Sequence, residues 1–206
     1  VMLSRFTVSL VINVLLQTPI MMWYYALYMD GKQLASPYLE GGGGYNFEHR
    51  VQAYFLLLML AGGRDPVFDR YIVKLDFQAR HHGYHIDDLV CYTDNDRKLL
   101  VQVKHSVSAV KSNKDFVETV QAAWRDFNSE SFDTNCDRIA LVTANISPKN
   151  RTAIAKLNTQ AWSSSDASDF TDTRIYQSRF ISTATREIFE TIRDLITESN
   201  KGEEPD

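Results

Sequence analysis

Cysteine is scarce in this chain, which has only Cys91 and Cys136 in 206 residues. This excludes a disulfide framework and a metal-spaced cysteine pair, so buried free thiols in a reducing, cytoplasmic setting are the simplest account. The four-glycine run from Gly41 to Gly44 is not followed by Gly-Lys-Ser/Thr, which excludes a P-loop. We interpret the run as a flexible joint that leads into a helix.

The chain also has no excess of positive charge, since its net charge is −4 and its pI is about 5.7. A constitutive, non-specific nucleic-acid binder is usually basic, so any DNA binding must come from a local patch, a bound cation or oligomerisation. Residues 97–114 form one such patch, because they include several cations and no acid. Its predicted DNA contacts are Arg97, Lys98, Lys111 and Lys114. The alternative interpretation is an ordinary solvated surface.

Charged residues are absent from Phe6 to Met29. This stretch is long enough to span a bilayer, although polar residues dilute it and Pro19 interrupts it. Three interpretations of residues 1–40 stay open: a membrane anchor, an apolar arm that packs on the domain or a partner, and upstream sequence outside the native domain. In the third, the natural start would lie near Met21, Met22 or Met29. We favour the membrane anchor least.

The rest of the chain predicts one α/β domain over residues 41–199, followed by a polar tail over 200–206. With 44% hydrophobic residues the chain can bury a full core. Periodicity predicts a helix at 46–60, strands at 70–78, 87–93 and 98–106, a helix at 113–128, a strand at 138–144, and helices at 148–163 and 178–198. Residues 163–172 are predicted to form a mobile loop. This order indicates a mixed central sheet flanked by helices.

The predicted hairpin of residues 87–106 carries the most informative polar residues. Gln102 and Lys104 are two apart on a strand, so they project from the same face. Asp87 and Asp88 are adjacent and point opposite ways, so only one of them can share that face, and periodicity does not choose between them. A metal-dependent phosphodiesterase needs such a trio: a carboxylate ligand, a second oxygen donor and a cation beside the attacking water.

A structural explanation must be weighed against this catalytic one. A buried ion pair between Asp88 and Lys104 would account for both residues without any chemistry. Glu48, in the first turn of the first predicted helix, could simply interact with the helix dipole. The other role for Glu48 is to complete the shell of a metal ion.

A helix with Glu48 is followed by a hairpin with Asp87 or Asp88 and Gln102-x-Lys104, and then by a helix, a strand and a helix. This order of elements resembles that of the PD-(D/E)xK nuclease superfamily. That resemblance implies the restriction-endonuclease-like α-β-α sandwich, with Gln102 replacing the acid of the triplet as in its Mrr-like branch. The segments 42–48, 86–89 and 101–105 are also similar to the N-terminal double-stranded DNA endonuclease domain of antiphage effectors, namely those of CBASS systems and of AVAST-type sensor ATPases.

The resemblance implies a Mg²⁺- or Mn²⁺-dependent endonuclease of bacterial antiphage defence that cleaves double-stranded DNA with little sequence specificity. Asp87, Gln102 and Glu48 would hold the metal ion, with Asp88 as the alternative carboxylate, and Lys104 would orient and help to deprotonate the attacking water. We expect a homo-oligomer whose activating sensor is a domain or protein outside this chain.

Two other functions remain open at this stage. One is a catalytically inactive DNA-binding or assembly module on the same fold, which would use the basic residues only to hold DNA. The other is a membrane-tethered interaction protein anchored by Phe6–Met29.

Overall fold

The computed structural model describes residues 10–13 and 43–201, and the side chains of residues 46–200. Its strands and helices are β1 Leu10–Asn13, α1 Gly43–Leu60, β2 Ile72–Phe77, β3 Leu89–Thr93, β4 Lys98–Ser106, α2 Lys114–Phe127, β5 Arg138–Asn145, α3 Pro148–Trp162 and α4 Thr183–Lys201. A short 3₁₀ helix, Ala79–His82, follows β2, and a π-helix, Asp169–Gln177, lies between α3 and α4.

The strands form one mixed sheet in the order β1-β5-β4-β3-β2. Strands β2, β3 and β4 pair antiparallel, whereas β4 and β5 pair parallel, with Gln102 opposite Leu141. Parallel neighbours need a crossover connection, and α2 supplies it between β4 and β5. The short β1 pairs parallel with β5. The predicted α/β class with a mixed sheet is therefore confirmed.

Helices cover both faces of this sheet. On one face, α1 packs Phe47, Val51 and Phe55 against inward side chains of β3, β4 and β5. On the other face, α2, α3 and α4 bury their apolar stripes together against the alternate side chains of the same strands. Phe55 is fully buried, which contributes roughly 2–3 kcal/mol relative to an exposed phenylalanine.

The helix starts follow local capping chemistry. The Asn113 side chain accepts a hydrogen bond from the Phe116 backbone N–H at 2.9 Å, which makes Asn113 the N-cap of α2. Ser147 Oγ accepts one from the Asn150 backbone N–H at 3.2 Å, and Pro148 occupies the first turn of α3. These two helices begin after the carboxyl ends of β4 and β5.

Four predictions about local structure were wrong. The first helix begins at Gly43 rather than at residue 46, so Gly43 and Gly44, which we interpreted as part of a joint, are helical. The last helix begins at Thr183 rather than Ser178, because Ser182 Oγ accepts a hydrogen bond from the Thr185 backbone N–H and caps it. The predicted loop over 163–172 is followed and partly replaced by the π-helix, which fully buried Phe170 and Ile175 anchor. Cys91 is buried in β3 as expected, but Cys136 precedes β5 and is only half-buried.

The apolar stretch Phe6–Met29 lies largely outside the described residues, which include only Leu10–Asn13 of it. Its three interpretations therefore stay predictions. Within the described ranges, 10–13 and 43–201, no helix combines the length and apolar character needed to cross a membrane.

Candidate active site

Asp88 and Gln102 meet across the β3–β4 pair. Leu89 lies opposite Val101, so the residue before Leu89 falls opposite the residue after Val101. Asp88 Oδ2 accepts a hydrogen bond from Gln102 Nε2 and a second from the Val103 backbone N–H at 2.6 Å. Both side chains are buried, with 9% of Asp88 and 7% of Gln102 exposed.

Asp87 points elsewhere. Its Oδ2 lies 2.9 Å from Nε of Arg80, in an ion pair at the surface. Its backbone carbonyl accepts a hydrogen bond from the Ala79 N–H at 2.6 Å, which ties this residue to the 3₁₀ helix. The structure therefore brings Asp88, rather than our first choice Asp87, to Gln102. The reason is the alternation of side chains along an extended chain, which sends adjacent aspartates to opposite sides.

The ionisation of Asp88 reflects its surroundings. Burial raises its pKa to about 6, the Val103 N–H lowers it, the negative charges of Glu48 and Asp87 raise it, and the positive charge of Lys104 lowers it. Three other residues that the sequence singles out thus act electrostatically on this carboxyl group. A desolvated carboxylate with two other carboxylates and only one ammonium nearby is a local excess of negative charge, which a cation would relieve.

Glu48 is held by two glutamines that sequence reasoning missed. Its Oε1 accepts hydrogen bonds from Gln52 Nε2 at 2.9 Å and from Gln78 Nε2 at 2.5 Å. Gln52 Nε2 also donates to the Asp88 backbone carbonyl at 3.1 Å, so it joins α1 to the start of β3. The i, i+4 spacing of Glu48 and Gln52 was a usable signal. Nothing in the sequence marked Gln78.

Lys104 lies two residues beyond Gln102 in β4, and its side chain is about one-quarter exposed. Its Nζ is 3.7 Å from Oδ1 of Asp115, which belongs to the first turn of α2. The ion pair of Lys104 is thus with Asp115, and the buried Asp88–Lys104 pair considered above is not what the structure forms. Asp115 had no predicted role.

A buried carboxylate on α2 holds the backbone segment that leads into this site. Asp126 is fully buried and accepts hydrogen bonds from the backbone N–H groups of His85 at 2.8 Å and Ile86 at 2.7 Å. Its Oδ1 also lies 2.9 Å from Nδ1 of His85. These bonds hold the two residues that precede Asp87 and Asp88. The available signal was an acid three residues after Ala123, on the apolar side of the helix.

The predicted basic patch of residues 97–114 is divided between two places on the structure. Arg97 and Lys98 lie at the start of β4, whereas Lys111 and Lys114 follow its end, and a strand of nine residues is roughly 30 Å long. Lys98 pairs with Asp137, and Lys111 pairs with Asp194 and Glu198. Lys114 is the most exposed lysine of the four predicted contacts, although it pairs with Glu118. These residues do not form one contiguous cationic surface.

A metal ion would find few strong ligands here. In the part of the chain that the structure describes, no group of three or more His, Cys, Asp or Glu side chains is arranged to hold one. Asp88 and Glu48 supply carboxylates, and any third protein ligand would be the neutral amide oxygen of Gln102. All three are hard oxygen donors, the class that Mg²⁺ prefers.

Comparison with known proteins gives no family assignment: the chain matches no protein-family model, no curated protein and no solved structure.

Proposed function

We propose that this chain is a metal-dependent endonuclease module with a restriction-endonuclease-like core that hydrolyses phosphodiester bonds in double-stranded DNA. The observation that carries the proposal is the contact of Asp88 with Gln102, with Glu48 and Lys104 acting electrostatically on the same carboxyl group. Glu48 from α1 and Gln102 and Lys104 from β4 thus contact or act electrostatically on the carboxyl group that precedes β3. Together they supply the oxygen donors and the cation that this chemistry requires.

The donor set fits a magnesium or manganese ion. Asp88 Oδ2 already accepts two hydrogen bonds, and among the described residues no donor reaches Oδ1. Asp88 would therefore be the principal ligand, with Glu48 and the amide oxygen of Gln102 as weaker ones. When bound, such an ion supplies positive charge to the phosphate and lowers the pKa of a coordinated water.

The remaining roles belong to the side chains themselves. Lys104 places a cation on the same face of β4 as Gln102, where it would orient the attacking water and stabilise negative charge that develops on the phosphate. Asp115 restrains the lysine from the first turn of α2. Gln52 and Gln78 fix the Glu48 carboxylate in place.

The biological setting rests on the resemblance of three short segments to antiphage effector nucleases. On that basis we propose a defence role, activation by a sensor outside this chain, and cleavage with little sequence specificity, since specific cleavage requires an element that reads base edges. A requirement for one defined recognition sequence would contradict the last of these.

Digestion of supercoiled and linear plasmid DNA, with Mg²⁺ or with EDTA, tests the proposal. We expect Asp88→Asn and Lys104→Ala to lower the cleavage rate at least about a hundredfold, as removal of a transition-state contact does. Asp87→Asn is the matched control, because it changes the adjacent carboxylate by the same atoms and should retain most activity. Equal, measurable cleavage of DNA by Asp88→Asn and the wild type would refute this site.

A second function is favoured by one observation: the Gln102 amide and the Val103 N–H both donate to Asp88 Oδ2, so the Asp88–Gln102 contact forms without a metal ion. In an inactive DNA-binding module the Asp88–Gln102 contact would only stabilise the hairpin. In that case the wild type would retard DNA on a gel without Mg²⁺, cleave none with it, and retain its affinity in Asp88→Asn.

A further inference from the structure

The outer edge of β2 has no partner strand among the described residues. This strand is the last in the order of the sheet, and between Val73 and Phe77 no described residue pairs with its outer side. Val73 is 58% exposed and Phe77 is 36% exposed, although both are large apolar residues. Only the start of the strand is covered, by the bridge between Arg64 and Tyr71. Open apolar edges pair readily with another strand.

The register with β3 shows which backbone groups face outward. Lys74 lies opposite Tyr92 and Asp76 opposite Val90, and the next such residue, Gln78, donates its backbone N–H to Asp88 O at 3.4 Å. In an antiparallel pair every second residue directs its N–H and C=O to the partner strand. The intervening residues, Leu75 and Phe77, therefore direct theirs away from β3. The register with β3 shifts between Ile72 and Lys74, so Val73 is the extra residue of a β-bulge and lies outside this alternation.

We propose that this edge binds the same edge of a second copy of the chain, antiparallel, about a two-fold axis that passes through Leu75. In this register Leu75 lies opposite Leu75 of the second copy, Val73 opposite Phe77, and Lys74 opposite Asp76. Leu75 meets its counterpart directly, so the two copies can exchange both of its backbone hydrogen bonds, and Phe77 lies opposite the bulged Val73. The sheet then continues from one copy into the other.

The charges of Lys74 and Asp76 favour a second copy of the chain as the partner, and they favour this register. Lys74 Nζ already lies 2.8 Å from Asp76 Oδ2 within one chain, so the two-fold would create four alternating charges on one face. On the other face Leu75 would meet its equivalent, with Phe77 beside it. Moving the axis to Lys74 or to Asp76 would oppose like charges, which destabilises a strand pair.

A lysine on an edge strand commonly prevents edge pairing, because it carries charge into the new strand pair. Here the two-fold axis places Asp76 of the second copy opposite Lys74. A second copy therefore neutralises the lysine charge that would repel other strands. A closed two-fold pair also leaves no further β2 edge for growth. This dimer is independent of the nuclease proposal, because it uses none of the residues assigned to the site.

Sedimentation velocity of the full 206-residue chain over a range of concentrations tests the proposal. We expect a concentration-dependent dimer, and we expect Lys74→Asp or Asp76→Lys to raise its dissociation constant about tenfold or more, since symmetry places each new repulsion twice. The double variant Lys74→Asp/Asp76→Lys restores opposite charges across the axis and should restore the dimer. Lys149→Asp, a charge reversal at another exposed lysine, is the control.

Circular dichroism establishes that each variant is folded. If Asp76→Lys does not fold, Val73→Lys replaces it, because this exposed residue should tolerate the change in the monomer but not in the strand pair. A wild type that stays monomeric overturns the proposal, as does a dimer that the single reversals leave unchanged. A folded double variant that remains monomeric overturns the register.

Discussion

The Asp88 carboxylate faces the Gln102 amide where β3 begins, and the Val103 N–H donates to the same carboxylate oxygen. This contact joins the two arms of the hairpin at a point that is buried yet close to Glu48 and Lys104. Because the carboxyl group is desolvated and near other acids, its pKa is about 6. The dependence of stability on pH and on metal ions therefore reports on this carboxyl group.

The first prediction concerns stability in EDTA as a function of pH. The pKa of Asp88 rises from 3.8 to about 6 on folding, so the folded protein retains a proton that the unfolded chain has lost between these values. The contribution of the protonated Asp88 carboxyl group to the free energy of unfolding is thus complete below pH 4. It is lost as the pH rises through 6, which lowers the free energy of unfolding by about 3 kcal/mol. Asp88→Asn, which cannot ionise, should gain this much relative to the wild type between pH 4 and pH 8.

Urea unfolding at each pH measures the difference. Asp94→Asn, which changes an exposed aspartate, is the control and should change the free energy of unfolding by less than about 1 kcal/mol. A gap between Asp88→Asn and the wild type that stays constant from pH 4 to pH 8 would show that the carboxyl group is not desolvated as described.

The second prediction concerns metal binding without activity. A ligand that binds only the folded state at a hundred times its dissociation constant raises the free energy of unfolding by about 2.7 kcal/mol. We expect Mg²⁺ or Mn²⁺ to raise the melting temperature of the wild type at pH 8 but not that of Asp88→Asn. The effect should weaken below pH 6, because a proton competes for Asp88. An equal shift in both proteins would place the ion elsewhere.

The third prediction concerns Asp126, whose carboxylate accepts bonds from the backbone of His85 and Ile86. Asp126→Ala leaves those N–H groups without an acceptor and should lower the free energy of unfolding by about 2–4 kcal/mol. Glu118→Ala, on the same helix but in a surface ion pair with Lys114, should cost less than about 1 kcal/mol. Similar losses for the two variants in urea unfolding would contradict this account.

The fourth prediction separates backbone strain from side-chain function at Gln78. This residue has φ 51°, in the left-handed region, while its amide donates to Glu48. Gln78→Gly and Gln78→Ala both remove that donor, but only glycine relieves the backbone. Gln78→Gly should therefore be about 1 kcal/mol more stable than Gln78→Ala in urea unfolding, while both cleave DNA more slowly than the wild type. Equal stability of the two would exclude strain at this position.

Much of the fold could be predicted because its signals are local. Periodicity predicted α1, in which Phe47, Val51 and Phe55 pack on the sheet. It also predicted the starts of α2 and α3 to within one residue, where Asn113 and Ser147 cap the helices. The predictions failed where tertiary contacts compete with local preference. The π-helix depends on the burial of Phe170 and Ile175, which no short window of sequence reveals.

The sequence by itself determined that Gln102 and Lys104 share a face, because the period of a strand is two and needs no partner. Only the tertiary structure decided that Asp88 meets Gln102 while Asp87 turns to Arg80, because strand register and the 3₁₀ helix set that choice. It also separated Arg97 from Lys114, which are near in sequence but lie at opposite ends of β4. Local periodicity orients side chains along one element, whereas the pairing of distant elements determines which of those side chains meet.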